Sequence, residues 1–310
     1  MSSDTPPASP VRGILLMILA VTLFTVMTSF IKAADRIPTG QAVFFRAFAA
    51  IPILMLWYGV RGQIAYALRT TNWRGHALRG VVGTTAMGLG FAGLKFLPLP
   101  EVTALRFVTP ILIVIFAALM LGERIRVIRI TAVAVGLFGV LVILSPRLSV
   151  EGSSAELIGA GLVLASATCA AFAQIFVKRM TGTEHPAAIV FYFSVTASTA
   201  ALLTVPFGWV WPVGWEWVFL VGAGLIGVCG QLLLTHSYRF AEAGSLAPFT
   251  YTSMISAILI GWFVFAEVPT VQMLAGASLI IGAGVAIFLR ERQLGLKRAA
   301  EAKVRAKGMQ

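Results

Sequence analysis

The sequence predicts an all-α membrane protein with ten transmembrane helices arranged as two inverted five-helix repeats. Three observations predict it. Of 310 residues, 58% are hydrophobic and 12% charged, whereas a soluble domain carries about 25% charged residues. That much apolar surface needs lipid as its solvent. The hydrophobic plan is also stated twice: Lys95 to Glu123 and Arg239 to Glu267, 144 residues apart, each open on a basic residue and Phe. Each then passes through a small-residue link and runs apolar to a Glu. The likeness is one of layout, since only Phe96/Phe240, Ile111/Ile255 and Glu123/Glu267 are identical at that offset. Finally, basic residues are dealt unevenly between alternate links.

A spanning helix needs about 20 mostly apolar residues. Ten stretches qualify: 12–32, 40–60, 78–95, 99–121 and 126–145 in the first repeat (12–145), and 156–178, 187–207, 216–238, 245–266 and 270–290 in the second (156–290). Breakers separate them, among them Pro38-Thr39-Gly40, Pro98-Leu99-Pro100, Ser145-Pro146, His185-Pro186, Trp211-Pro212 and Pro269. Residues 291–310 form a basic tail. The first span is longer than a signal-peptide core and is expected to be retained.

With the N-terminus placed inside, the inner segments hold 18 of the 24 basic residues and the outer ones four (Lys32, Arg36, Lys95, Arg147). Arg46 and Arg106 fall within spans. The positive-inside rule then puts both termini in the cytoplasm of a cell with a multi-pass inner membrane. It also accounts for the net charge of +12, which faces the anionic inner leaflet rather than nucleic acid. An odd number of spans per repeat makes the second copy enter from the opposite side, so the repeats are inverted.

Two glycine patterns mislead. Gly88-x-Gly90-x-x-Gly93 and Gly222-x-Gly224-x-x-Gly227 fit a dinucleotide-binding pattern, but that pattern needs a preceding strand. Within lipid-length helices such glycines allow close helix packing. Gly136-x-x-Gly139 and Gly282-x-Gly284 read the same way, with a homodimer through spans five and ten as an alternative use. Cys169 and Cys229 lie in apolar runs and read as core residues. Nothing has catalytic or metal-ligand spacing, so no enzyme activity, metal or cofactor is expected.

Function is expected to reside in polar groups at membrane depth, which are costly and usually face a cavity or a partner. Arg46 in span two reads as a substrate-facing cation or a structural, snorkelling side chain. Thr103, Arg106 and Pro110 share one stripe of span four, and Pro110 removes a backbone hydrogen bond near Arg106. Arg106 reads as a substrate contact or as the partner of a carboxylate such as Glu101. Glu101 itself reads as a first-turn helix charge or a coupling or gating group. In span nine, Phe249 and Tyr251 sit in a polar-aromatic cluster suited to a flat organic substrate or to interfacial anchoring. Gln174 in span six, and Gln231 and His236 in span eight, are further candidates for substrate contact. Glu123 and Glu267 follow span ends and read as helix caps.

Phe44-Phe45-Arg46, Leu97-Pro98-Leu99-Pro100-Glu101-Val102-Thr103-Ala104, Pro110 and Leu121-Gly122-Glu123-Arg124 recur as a set, with Ala247-Pro248-Phe249, Tyr251 and Phe265-Ala266-Glu267-Val268-Pro269 in the second half. On these the chain resembles the drug/metabolite transporter superfamily, in particular proteins with two EamA domains. The resemblance implies ten helices, inverted repeats, cytoplasmic termini and a central cavity for a small-molecule substrate. Family members carry amino acids, amines, metallophores, nucleotide-related compounds and vitamins in either direction. The Phe44–Arg46 segment, His76–Gly80 and Ala247-Pro248-Phe249-x-Tyr251 resemble the branch with riboflavin and S-adenosylmethionine uptake proteins. The expectation is therefore a secondary transporter of a small organic metabolite, riboflavin first, with S-adenosylmethionine or an amino-acid or amine-type solute as alternatives. A membrane-embedded enzyme or a non-transporting sensor subunit is the alternative class.

Overall fold

The structure, a computed structural model, describes residues 10–121, 127–146, 154–180, 183–240, 246–286 and 289. Among these, every regular element is helical. The first half contains α1 (Pro10–Ala33), α2 (Thr39–Phe48), α3 (Ala50–Val60), a short α4 (Ile64–Ala67), α5 (Trp73–Gly93), α6 (Leu99–Arg106), α7 (Val108–Leu121) and α8 (Val127–Leu144). The second contains α9 (Ser154–Met180), α10 (Pro186–Leu202), α11 (Trp215–Phe240), α12 (Thr252–Phe265) and α13 (Val271–Ala286). Four stretches are helical, long and apolar enough to cross a bilayer: Val11–Ala33, Thr39–Val60, Ser154–Val177 and Trp215–Leu234. The basic tail and Glu123 lie outside the described residues.

Prolines shape the interrupted helices. A proline removes one backbone N–H and crowds the carbonyl one turn back. Pro52 and Pro110 each lie three residues past a break, at Ala49 and Phe107. At Phe107 the backbone N–H turns to Ala104 O at 3.1 Å, an i to i−3 bond. Pro248 lies in a 3-10 turn, Ala247–Tyr251, that leads into α12. The break expected near Arg106 is thus present, directly after that residue.

Helix α5 starts earlier than the sequence pattern suggests. Asn72 Oδ1 accepts the Gly75 N–H at 2.9 Å and caps the helix at Trp73, satisfying an orphan donor of the first turn. This corrects the position of Arg79, expected in a cytoplasmic link: it lies about two turns inside a helix.

The halves interleave. α1 packs along α11, and α5 along α9. Gly222 abuts Phe30 while Gly230 abuts Phe24 and the Ala20 carbonyl, so α1 and α11 run antiparallel. Gly90 abuts Ser166 and Gly93 abuts Val163, so α5 and α9 also run antiparallel. The C-terminal ends of α1 and α5 lie together, since Lys32 Nζ donates to Leu97 O at 2.9 Å. α9 therefore runs opposite to α1, the relation that an inverted repeat requires. Further contacts pair α2 with α10 and α6 with α12. Five of the six glycines in the two dinucleotide-like patterns pack against a neighbouring helix, as the packing reading expects, whereas Gly88 meets open space. Gly139 and Gly276 bring α8 and α13 together backbone to backbone, and Gly136 meets Ile111 and Ala283. A continuous core of buried side chains from both halves, among them Ile111, Ile143, Leu220, Met273 and Ile280, runs through the bundle.

Candidate functional site

Two polar contacts between the halves lie along the helices, Ser166 Oγ donating to Ala86 O at 2.5 Å and Thr22 Oγ1 lying 3.4 Å from Ser256 Oγ, while the contacts made by carboxylates lie at the two ends of the bundle. At the end where α1 and α5 finish, Lys32 Nζ lies 2.7 Å from Glu267 Oε1. Glu267 Oε2 accepts the Leu99 N–H at 2.8 Å. The expected capping role is therefore real, but it serves α6 rather than the helix that follows Glu267 in sequence. Arg36 grips Glu216 through Nε and Nη2 at 2.9 and 2.7 Å, and Gln41 Nε2 donates to Val210 O at 2.8 Å. Glu216 Oε2 also accepts the Val213 N–H at 2.7 Å.

At the opposite end, about 30 Å away along the 21-residue α5, His76 Nε2 lies 3.3 Å from Glu184 Oε2. Both residues are buried. Glu184 Oε1 also accepts the Thr71 N–H at 3.1 Å and the Thr71 hydroxyl at 3.3 Å. Burial pushes the Glu184 carboxyl up, yet the hydrogen bonds from Thr71, Thr70 and His76 outweigh it and hold the group below the usual range. The Tyr192 hydroxyl donates to Leu68 O at 2.9 Å, and its ring packs on His76 and Trp73. This cluster, from residues 68–76 and 184–192, was not foreseen: the partners are over 100 positions apart and look like ordinary link residues.

Between the ends lie three arginines. Arg46 on α2 is 6% exposed and sits against Gly227 of α11. Arg79 on α5 lies over the Phe193 ring of α10, 4.2 Å from its centroid, and folds back along Gly83. Its Nε and Nη1 atoms are buried with no hydrogen-bond partner. The helices that carry Arg46 and Arg79, α2 and α5, pack against each other and both pack on α10. Ala47, Phe193, Ala197 and Met87 form the apolar wall beside them. Arg106 is the last residue of α6, at the break before α7, and its side chain is exposed. Among the described residues, none of the three forms an ion pair.

The other expected residues divide into separate groups. Thr103 lies one turn before Arg106, and its hydroxyl donates to Leu99 O at 2.9 Å. Glu101 is buried in the first turn of α6. Phe107, beside Arg106, meets the Tyr251 ring edge-on at 5.0 Å, so spans four and nine do face each other as the repeat layout implies. Phe249 instead packs with Met17, Val21 and Leu246. His236 lines a cleft of about 80 Å³ with Tyr58, His185 and Val190 at the His76 end, and its Nδ1 lies 2.9 Å from Leu232 O. Gln231 is one turn deeper and half-buried, and Gln174 lies on an exposed side of α9. Pro110 is described only in its backbone, within α7. Arg79 is the residue that sequence reasoning missed. Beside Arg69 and Arg74 it reads as one more inner-link charge.

Comparison with known proteins places this architecture. A solved crystal structure matches with a TM-score of 0.64 over 92% of this chain and 99% of the other, at 20% identity, a likeness of fold. The pseudopaline exporter CntI of Pseudomonas aeruginosa is 31% identical over 89% of this chain and 95% of its own length. A riboflavin transporter of Rhizobium johnstonii is 30% identical over 94% and 96%. An S-adenosylmethionine uptake transporter of Rickettsia felis is 25% identical over 90% and 92%. The EamA-like transporter family is matched twice, over residues 11–145 and 157–289. These two matches cover both halves of the helical bundle, and the chain belongs to the EamA-like transporter family.

Proposed function

We propose that the protein is a secondary transporter that carries a small polar organic metabolite across the inner membrane by alternating access of two inverted five-helix repeats. One observation carries this reading. The halves are tied at both ends of the bundle, by the ion pairs Lys32–Glu267 and Arg36–Glu216 at one and by the His76–Glu184 contact at the other. Arg46, Arg79 and Arg106, which form no ion pair among the described residues, stand on helices that run between these ends. Opening one end while the other stays tied exposes the interior to one side at a time. With Arg79 moved from link to interior, the inner segments still hold 17 basic residues against four, which supports cytoplasmic termini.

Riboflavin is the first solute to test, given the relative of that name and the Phe107–Tyr251 pair beside Arg106, a wall on which a flat ring can stack. A cationic solute such as S-adenosylmethionine or an amine would meet like charge in the interior. The test is growth of a riboflavin-auxotrophic bacterium on limiting riboflavin. Expression of the chain should restore growth, and Arg106→Ala should abolish uptake while membrane levels stay near normal. Uptake unchanged in Arg106→Ala removes that residue from the site, and failure of rescue removes riboflavin as the solute.

A further inference from the structure

We infer that Arg46 and Arg79 together form a subsite for an oxyanion, a carboxylate or phosphate group borne by an organic substrate. The inference rests on the transport reading above and names the chemistry of its substrate. Two like charges stand on neighbouring helices, Arg46 beside Ala47 on α2 and Arg79 on α5 over the Phe193 ring, and Ala47, Phe193 and Ala197 pack in one apolar cluster. A buried charge is normally paired, because leaving water is costly and only a counter-charge offsets it. The carboxylates that tie the halves are engaged at the ends: Glu267 with Lys32, Glu216 with Arg36, and Glu184 with His76. Arg79 keeps two nitrogens buried without a hydrogen-bond partner.

Phe193 receives one face of the Arg79 guanidinium, which fixes its plane. A guanidinium edge fits a carboxylate or phosphate through two parallel hydrogen bonds. Two such edges suit an oxyanion better than a halide, which offers no fork. An interior that stays uncompensated until the substrate arrives also gives a reason for binding to stabilise the closed carrier. Arg106 lies apart from this pair in sequence, at the end of α6 next to the Phe107–Tyr251 rings.

The test uses the purified full-length chain in lipid nanodiscs. Riboflavin and flavin mononucleotide serve as a matched pair that differs by one phosphate. Citrate is the ring-free oxyanion, and chloride at equal ionic strength is the control. Flavin mononucleotide should raise the unfolding midpoint more than riboflavin does, citrate should raise it where chloride does not, and Arg46→Gln or Arg79→Gln should weaken the anion-dependent part of that binding at least ~10-fold, as expected for loss of a charge-assisted fork. In the absence of anions, Arg79→Gln should raise the midpoint, because an uncompensated charge is removed; a residue needed only for folding would lower it. Equal stabilisation by chloride, anion binding indifferent to both substitutions, or a lowered midpoint in Arg79→Gln overturns the subsite. Counterflow in proteoliposomes separates this from the broader reading. Flux of a neutral solute that is unaffected by either substitution sinks the subsite and leaves transport standing. Arginine-dependent binding without flux of any probe does the reverse.

Discussion

Glu267 shows how one side chain serves two structures. Its Oε1 pairs with Lys32 and its Oε2 caps the first turn of α6, although α6 lies 168 positions earlier in the chain. Glu267→Gln should keep an acceptor for the Leu99 N–H and lose only the ion pair, whereas Glu267→Ala loses both. Both groups are about 15% exposed, so the alanine variant should cost about 1–2 kcal/mol and the glutamine variant less; thermal unfolding of the two against wild type measures the split. The carboxylates at the ends also set a pH dependence. Glu184, in the link between spans six and seven, is held below the usual carboxylate range when folded, so its contribution is complete above that range, near about 4.3, and is lost as pH falls below it. The midpoint difference between wild type and Glu184→Gln should be present at pH 5 and shrink as pH falls below about 4; a difference that does not shrink there would contradict that assignment. Legibility at this scale followed hydropathy. Arg46 and Arg106 stood out because each interrupts a long apolar run. Arg79 did not, because it follows two other basic residues near a helix start whose Asn72 cap was not recognised. The His76–Glu184 pair was invisible because nothing local links residues 108 positions apart.

At the scale of helices, breaks and seams have identifiable causes. The breaks at Ala49 and Phe107 each precede a proline by three residues, and the second leaves Arg106 at a helix end rather than in a continuous ladder. That much was readable, since a proline's effect on the preceding turn is local. Which seam each glycine serves was not, because contact is a property of two helices. The residues Gly136 and Gly139, read as packing glycines that could also serve a dimer, face other helices of the same chain. At Gly276 an added side chain would press on the Gly139 carbonyl and Ile143, whereas at Gly282 it would meet open space. Gly276→Val should therefore destabilise by about 1–3 kcal/mol, the usual range for overpacking, while Gly282→Val should cost much less. Equal losses would mean that helix propensity, not the seam, governs both sites.

Taken whole, the molecule is two interleaved halves whose carboxylate ties lie at opposite ends. That arrangement explains why first-half helices pack mainly on second-half partners: α1 on α11 and α9 on α5 are equivalent pairings when the halves exchange roles. The doubled layout in the sequence foretold the equivalence, since repeated hydrophobic plans fold to repeated bundles. It could not foretell the ties, because Arg36, Glu216, His76 and Glu184 do not match one another at the repeat offset. If the ends open in turn, each tie must break once per cycle. A chain with Cys169 and Cys229 replaced by alanine, and with cysteines at either positions 36 and 216 or 76 and 184, can be bridged by a short reversible thiol spacer. Bridging at either end should stop flux in proteoliposomes, and reduction should restore it, while anion-dependent stabilisation persists in the bridged protein. Flux through a chain bridged at one end would mean that this end does not move. The halves would then not work by alternating access, even though the interior arginines could still bind.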